Sequence, residues 1–283
     1  MSDPASPGAM ITLSGVSRRF RRADGQTVSA VHEVSLSVPE GQFVCIVGPS
    51  GCGKSTLLQL VAGLLQPSSG RVAVAGAVVK GPGPDRGVVF QKDSVFPWMR
   101  VRHNVEYGLR CRGVASAERS DIARRYLGMV GLAQWGHSWP RELSGGMLKR
   151  VAIATVFANG ARVLLLDEPF GALDYVTKRQ LHEVLLTLWE ETGTGRRRTV
   201  LFVTHDVDEA LLLADRVLVM HSGRVVDDIL VTAPRPRDSD SLLLTDMIDR
   251  KHALLAHLGL EARRAGHRQK LVGDADATAG AVR

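Results

Sequence analysis

The chain has 283 residues, 45% of them hydrophobic and 23% charged, with a formal net charge of +7, enough apolar material for one large globular domain plus an appendage. No apolar run approaches the ~18 residues a membrane-crossing helix needs, and Cys45, Cys52 and Cys111 form no CxxC pair, which argues against a disulfide framework and a structural zinc site. The basic residues are scattered except in Arg18-Arg19, Arg21-Arg22, Arg196-Arg197-Arg198 and the tail, a pattern of solvated surface charge rather than of one nucleic-acid-binding face.

The opening MSDPASPGAM has neither a charged start nor an apolar stretch, so residues 1–10 are expected to form a disordered leader and not a secretory signal. Residues 11–47 then predict strands, with turns at Asp24-Gly25 and Pro39-Glu40-Gly41 and a buried run from Phe43 to Val47. Behind the glycine-rich loop that follows, LLQLVAGLL has helical apolar spacing. Short strands with glycine and proline turns fill residues 70–90, and a more helical block follows over 101–135. Ser144 stands where a helix N-cap would, ahead of a helix reaching about Ala158. The strand Val163 to Leu166, a helix from about Val176 to Glu191, the strand Val200 to Val203 and a helix from Asp206 to Leu213 complete an alternation that predicts an α/β fold, its mostly parallel sheet covered on both faces and preceded by an antiparallel section. Residues 233–283 read as an extension: the stretch from Ala233 to Asp238 as a linker, Leu242 to Leu260 as an amphipathic helix, and a polar remainder expected to be disordered.

The segment Gly48-Pro49-Ser50-Gly51-Cys52-Gly53-Lys54-Ser55-Thr56 fits G-x-x-x-x-G-K-[ST] and stands directly after a buried strand and before a helix, the context a phosphate-binding loop requires. Gly48, Gly51 and Gly53 let the loop wrap so that backbone N–H groups point inward at a β-phosphate, with the helix dipole adding positive potential. Lys54 supplies an ammonium to the β- and γ-phosphate oxygens. The Ser55 hydroxyl is placed to ligate Mg²⁺, a hard ion that prefers oxygen, and Thr56 to reach the α-phosphate side. Asp167, at the carboxyl end of the strand Val163-Leu-Leu-Leu, is expected to hold the magnesium shell beside Ser55. Glu168 follows as the group that orients and polarises the attacking water. No Asn-Lys-x-Asp segment occurs, so a guanine-specific GTPase is not expected.

Leu143-Ser144-Gly145-Gly146-Met147, shortly before the Asp-Glu strand, resembles the signature motif of the ABC ATPase family. The remaining motifs stand in that family's order: Gln91 in VVFQKDSVFPW is similar to the Q-loop, Ala172-Leu173-Asp174 to the D-loop, and His205 in VTHDVDEA to the switch histidine. The resemblance covers roughly residues 11–230. It implies a P-loop core of ABC type over residues 11–232, with a helical subdomain at about 92–160. Two copies would face each other head to tail, Ser144, Gly145 and Gly146 of one closing on ATP held by the phosphate loop of the other. By the same resemblance Phe20 stacks on adenine, Asp174 joins the nucleotide site, Gln91 contacts the metal or the attacking water, and His205 contacts the γ-phosphate.

Within the family, GPSGCGKST, FPW, LSGGM, DEPFGALD and VTHDVDEA are similar to an import branch serving nitrate, sulfonate and taurine. That implies a peripheral ATPase on the cytoplasmic face of the inner membrane, integral permease partners, and an extracytoplasmic solute-binding protein met indirectly. Phe96, Pro97 and Trp98, with Asp93, are either core residues or a groove for a short permease helix. The chain departs from the pattern at Phe20, commonly Tyr; at Leu148-Lys149, commonly Arg-Gln; and at Thr155-Val156, commonly Arg-Ala. Thr194 to Arg198 reads as an inserted, solvated loop. A non-transport ABC ATPase acting on nucleic acid or ribosomes is the rival reading, weakened because neither a long coiled-coil insertion nor a second ATPase unit is present; a non-hydrolysing regulatory module is weakened by the presence of Lys54, Asp167, Glu168 and His205 together.

Overall fold

Five consecutive apolar residues, Phe43–Val47, form strand β3, buried at every position. The computed structural model, which describes residues 8–91, 95–171, 173–191 and 195–259, explains why no polar residue alternates with them. Successive side chains of a strand leave on opposite faces, and both faces here are covered. Phe43, Cys45 and Val47 enter one core, while Val44 and Ile46 enter a second. That is the pattern of a central strand in a parallel sheet.

Six strands make this sheet, in the order Arg224–Leu230 (β10), Arg216–His221 (β9), β3, Thr199–Val203 (β8), Val163–Asp167 (β7) and Arg86–Val89 (β6). All pairings are parallel except β10 with β9. One face is covered by a four-stranded antiparallel sheet in the order Thr27–Pro39 (β2), Ala9–Arg21 (β1), Ser69–Val74 (β4) and Ala77–Val78 (β5). It shares a core with Lys54–Ala62 (α1), whose Leu57, Leu58, Leu60 and Val61 meet Ile11, Leu13, Val16 and Val72 there. The other core gathers Gly145–Ala158 (α4), Tyr175–Glu190 (α5) and Val207–Leu213 (α6). Helices Val101–Cys111 (α2) and Ser116–Met129 (α3) pack on α4 through Val105, Tyr126, Leu127 and Phe157.

Several boundaries differ from expectation. Strand β1 begins at Ala9, and Met10 is buried, so residues 9 and 10 belong to the sheet and not to a leader; residues 1–7 lie outside the described residues. Helix α1 ends at Ala62, before Leu64 and Leu65, because Gly63 turns left-handed at φ 78° and its N–H returns to the Gln59 and Leu60 carbonyls, a common helix stop. The loop before β8, described from Gly195 on, is not simply solvated. Arg198 donates to the Tyr126 hydroxyl at 3.1 Å and the Phe157 carbonyl at 3.2 Å, pinning the helical block to the sheet, while Arg196 pairs with Glu40 at 3.0 Å.

The stretch from Ala233 to Asp238 is no free linker. Arg237 is buried and donates to the carbonyls of Leu211, Ala214, Val231 and Ala233, and Arg235 pairs with Asp215 at 2.8 Å. The last helix among the described residues, Thr245–His257 (α7), starts later than expected because a short turn, Ser241–Leu243, precedes it. Its Met247 and Leu254 are buried in the core that holds α6. Leu260, the expected end of the helix, and the expected tail beyond it lie outside the described residues. Among the described residues no helix is long and apolar enough to cross a membrane.

Candidate nucleotide site

The loop between β3 and α1 is built so tightly that only glycine fits at its two ends. A Cβ on Gly48 would stand 2.2 Å from the Met220 carbonyl oxygen, and one on Gly53 2.1 Å from that of Ala30. Gly53 is also the N-cap of α1, with φ 106°; no side chain caps the helix and no acidic residue stands in its first turn. The N–H groups that begin a helix lack partners within it, so this end is an anion-binding site by construction. Lys54, only 5% exposed, folds back so that Nζ donates to the Gly48 carbonyl at 2.8 Å and the Pro49 carbonyl at 3.0 Å. A buried ammonium requires such partners, and they keep it at the mouth of the loop.

The next residue joins the loop to β7. The Ser55 hydroxyl donates to Oδ1 of Asp167 at 2.8 Å. Burial pushes the Asp167 carboxyl above the ordinary carboxylate range; the Ser55 hydrogen bond opposes this and the neighbouring Glu168 charge adds to it. Two hard oxygens held together beside a phosphate loop fit Mg²⁺. Among the described residues no cluster of three or more His, Cys, Asp or Glu side chains could hold a metal.

Glu168 is placed by an uncommon backbone. Its φ is 42°, a left-handed conformation that costs a non-glycine residue about 1–3 kcal/mol, and its N–H donates to the Val203 carbonyl of β8 at 3.0 Å. The result is that one carboxylate oxygen, Oε2, accepts from Nε2 of Gln91 at 3.3 Å and lies 3.2 Å from Nδ1 of His205. Residues far apart in sequence thus converge where the parallel strands β6, β7 and β8 end, the usual ligand position of an open α/β sheet.

His205 stands between two pinned neighbours. The Thr204 hydroxyl accepts from the Asp206 N–H at 3.0 Å and donates to buried Glu209, and Glu209 meets His182 of α5 at 2.8 Å. Asp206 caps α6 by accepting from the N–H groups of Asp208 and Glu209 and pairs with Lys178 at 3.0 Å. Sequence reasoning missed Thr204, Glu209, His182 and Lys178. The signal available was an acid at the N-cap with Glu three residues on, since His182 and Lys178 are brought in only by packing.

The remaining expected residues sit at the margins. Phe20, near the end of β1, is 37% exposed, with the Arg18 guanidinium 4.7 Å from its ring centre. Ser144 does cap α4, accepting from the Met147 N–H at 3.3 Å; Gly146 packs so closely on α5 that a Cβ would stand 2.6 Å from Thr177 Cγ2. Among the described residues no hydrogen bond joins Ser144, Gly145 or Gly146 to the phosphate loop. Asp174 is the N-cap of α5, and the Thr177 N–H it accepts holds its carboxyl below the usual range. Thr56 lies in the first turn of α1; Ala172 and Asp93 lie outside the described residues. The loop Phe96 to Arg100 is tied by buried Asn104, which accepts from the Phe96 N–H and donates to the Phe96, Met99 and Arg100 carbonyls.

A lysine-bearing phosphate loop, a strand-end aspartate on the following serine, and a carboxylate gathered with a glutamine and a histidine define a P-loop ATPase. A sequence model of the ABC transporter family matches residues 31–171. The nitrate import ATP-binding protein NrtD of Synechocystis sp. is 47% identical over 226 residues, 79% of this chain and 83% of that protein. The bicarbonate transport ATP-binding protein CmpD of Synechococcus elongatus is 42% identical over 247 residues, 85% of this chain and 87% of that protein. Among solved structures, the dimeric ATP-binding cassette MJ0796 in a post-hydrolysis state bound to ADP and Pi superposes with a TM-score of 0.67 at 30% identity, covering 78% of this chain and 99% of that one. The chain is an ATPase belonging to the ABC transporter family.

Proposed function

We propose that this chain is one of two ATPase subunits of an importer, hydrolysing ATP on the cytoplasmic face of a membrane to drive uptake of a small solute, an anion such as nitrate, bicarbonate or a sulfonate, or the zwitterion taurine. The observation that carries the reading is the convergence of Gln91 and His205 on the Glu168 carboxylate beside the Ser55–Asp167 pair. In it, Lys54 and the N-terminal amides of α1 bind the phosphates, Ser55 and Asp167 hold Mg²⁺, which would supply charge neutralisation at the β- and γ-phosphates, and Phe20 offers its ring to adenine. Glu168 takes the proton of the attacking water; Gln91 and His205 fix its carboxylate and the water's position.

The nitrate import and bicarbonate transport relatives support transport of a small anion, and the dimeric neighbour supports a pair of copies; in the head-to-tail arrangement implied by the family resemblance, Ser144, Gly145 and Gly146 would complete the partner's site. A permease would dock where aromatic residues are exposed beside a groove: Trp98 is 68% exposed, Phe96 packs edge-on against Tyr107 at 4.8 Å, and Met99, Arg102, His103, Glu106 and Tyr107 line the groove. The solute-binding protein meets the permease and not this chain.

The test is uptake. The chain is expressed with the permease and binding protein encoded beside its gene, and nitrate, bicarbonate, sulfonate and taurine accumulation is measured with wild type and Lys54→Ala. Uptake of one solute that disappears in the variant supports the reading and names the solute. ATPase activity stimulated by nucleic acid, with no such uptake, replaces it by the non-transport alternative.

A further inference from the structure

Helix α4 carries a lysine in its second turn, Lys149, just behind the signature residues Ser144 to Gly146. A cation near a helix N-terminus gains nothing from the helix dipole, so its position calls for another partner. One such partner is the main chain at the end of β6. Lys149 Nζ donates to the Gln91 carbonyl at 2.6 Å and to the Phe90 carbonyl at 3.4 Å. Strand β6 is an edge strand, and Phe90 and Gln91 follow its last ladder pair with β7, Val89 with Leu166.

The carbonyl that Lys149 holds belongs to the same residue whose side-chain amide donates to Glu168. A continuous chain of contacts therefore runs from the signature helix through Lys149 to Gln91, and from Gln91 to the Oε2 of Glu168 that also faces His205. Gln91 is exposed, and a charged hydrogen bond to its carbonyl helps set where its amide points. We infer that Lys149 is a positioning residue for ATP hydrolysis. It ties the signature helix, which engages the nucleotide on one copy, to the Gln91 that orients Glu168 at the copy's own nucleotide, so that movement of α4 on closure is passed to the other site. The inference rests on the proposed roles of Gln91 and Glu168.

The experiment compares the full chain with Lys149→Met, which keeps the apolar stem and removes the ammonium, with Lys149→Arg, with Gln91→Ala, and with the Lys149→Met/Gln91→Ala double variant. Steady-state ATPase rate, KM, and the Kd of a fluorescent ATP analogue are measured for each. Lys149→Met is expected to lower kcat about tenfold, the scale of one charged hydrogen bond, with KM, Kd and Tm close to wild type. Arg, which can still donate to the carbonyls, restores most of the rate. In the Gln91→Ala background the Lys149→Met change has little further effect, because two residues acting through one contact are not additive. Wild-type kcat in Lys149→Met, additive losses in the double variant, or a loss confined to Tm and Kd each overturns the inference. Wild-type turnover in Glu168→Gln would instead remove the reading on which it rests.

Discussion

Nδ1 of His205 and Oε2 of Glu168 stand 3.2 Å apart, although 37 residues of chain separate them. The separation is spanned by α5 and β8, and the contact exists because β7 and β8 are adjacent and parallel, Asp167 lying opposite Val203. The left-handed turn at Glu168 then swings its carboxylate across the end of β8 toward the histidine. With Gln91 on the same oxygen, Glu168 is held by two side chains before any water is bound.

Replacing Glu168 by Gln keeps the shape and removes the proposed base. ATP binding is expected to persist, because Lys54 and the α1 amides are untouched, while turnover falls at least about 100-fold, the usual minimum for loss of a positioned general base. Gel filtration with ATP should show a dimer that persists instead of dissociating after hydrolysis. Turnover near wild type removes Glu168 from the proposed mechanism.

Asp167 predicts a pH effect on metal use. Burial raises its pKa, so protons compete with a cation at this carboxylate at a higher pH than at a carboxylate of ordinary pKa near ~4. The Mg²⁺ concentration giving half-maximal ATPase activity is expected to rise as pH is lowered from neutral toward 5. In Asp167→Asn it should be high throughout and nearly insensitive to pH. An equal pH dependence in both proteins would show that another group competes for the proton.

The parts of this molecule governed by short-range rules were legible in the sequence. The phosphate loop is contiguous, its glycines answer to close approach, and the buried strands β3, β7 and β8 announce themselves as apolar runs bounded by turns. The Ser144 cap and the Asp167-Glu168 pair at a strand end follow from the same local logic. What stayed hidden depends on packing between distant segments. Gly63 ends α1 inside a run whose apolar spacing continues to Leu65, because its left-handed turn overrides the periodicity. Arg235 lies between two prolines and Arg237 directly follows the second, so both read as linker, since no local pattern shows that the end of α6 stands beside them. Lys149 looks like an ordinary surface substitution until β6 is placed next to α4.

Asp206 links the site to stability. Burial raises its carboxyl pKa, but the Lys178 hydrogen bond and the N–H groups of Glu209 and Asp208 outweigh this and the net shift is downward. A carboxyl whose folded pKa is lowered contributes stability that is complete above its unfolded value of about 3.9 and is lost as pH falls through the folded one. Asp206→Ala removes the cap and should cost about 1–2 kcal/mol at pH 7. In urea unfolding the gap between the two proteins is expected to be unchanged at pH 5 and to narrow below pH 4. A gap independent of pH would mean that Asp206 acts through packing and not through its charge.

Helix α6 is held at its other end by the extension, and this gives the extension a measurable role. Arg237 donates to the carbonyls of Leu211 and Ala214 and Arg235 to that of Leu213, the groups a helix C-terminus leaves unpaired, where a cation is also favoured by the dipole. Burial, with the charge of Arg235 beside it, lowers the Arg237 pKa to about 10. The group therefore remains protonated at neutral pH in the folded and unfolded chain alike, and its contribution should not vary between pH 6 and 8. Arg237→Met leaves buried carbonyls without donors, at about 1–3 kcal/mol each, so the chain is expected to lose roughly 3 kcal/mol in urea unfolding. Hydrogen exchange should quicken in α6 and α7 but not in α1. Because α6 begins one residue after Asp206 and two after His205, the variant should also lower kcat severalfold while the Kd for ATP, set by the phosphate loop, is unchanged. Faster exchange in α7 alone, with α6 and kcat as in wild type, would confine Arg237 to anchoring the extension.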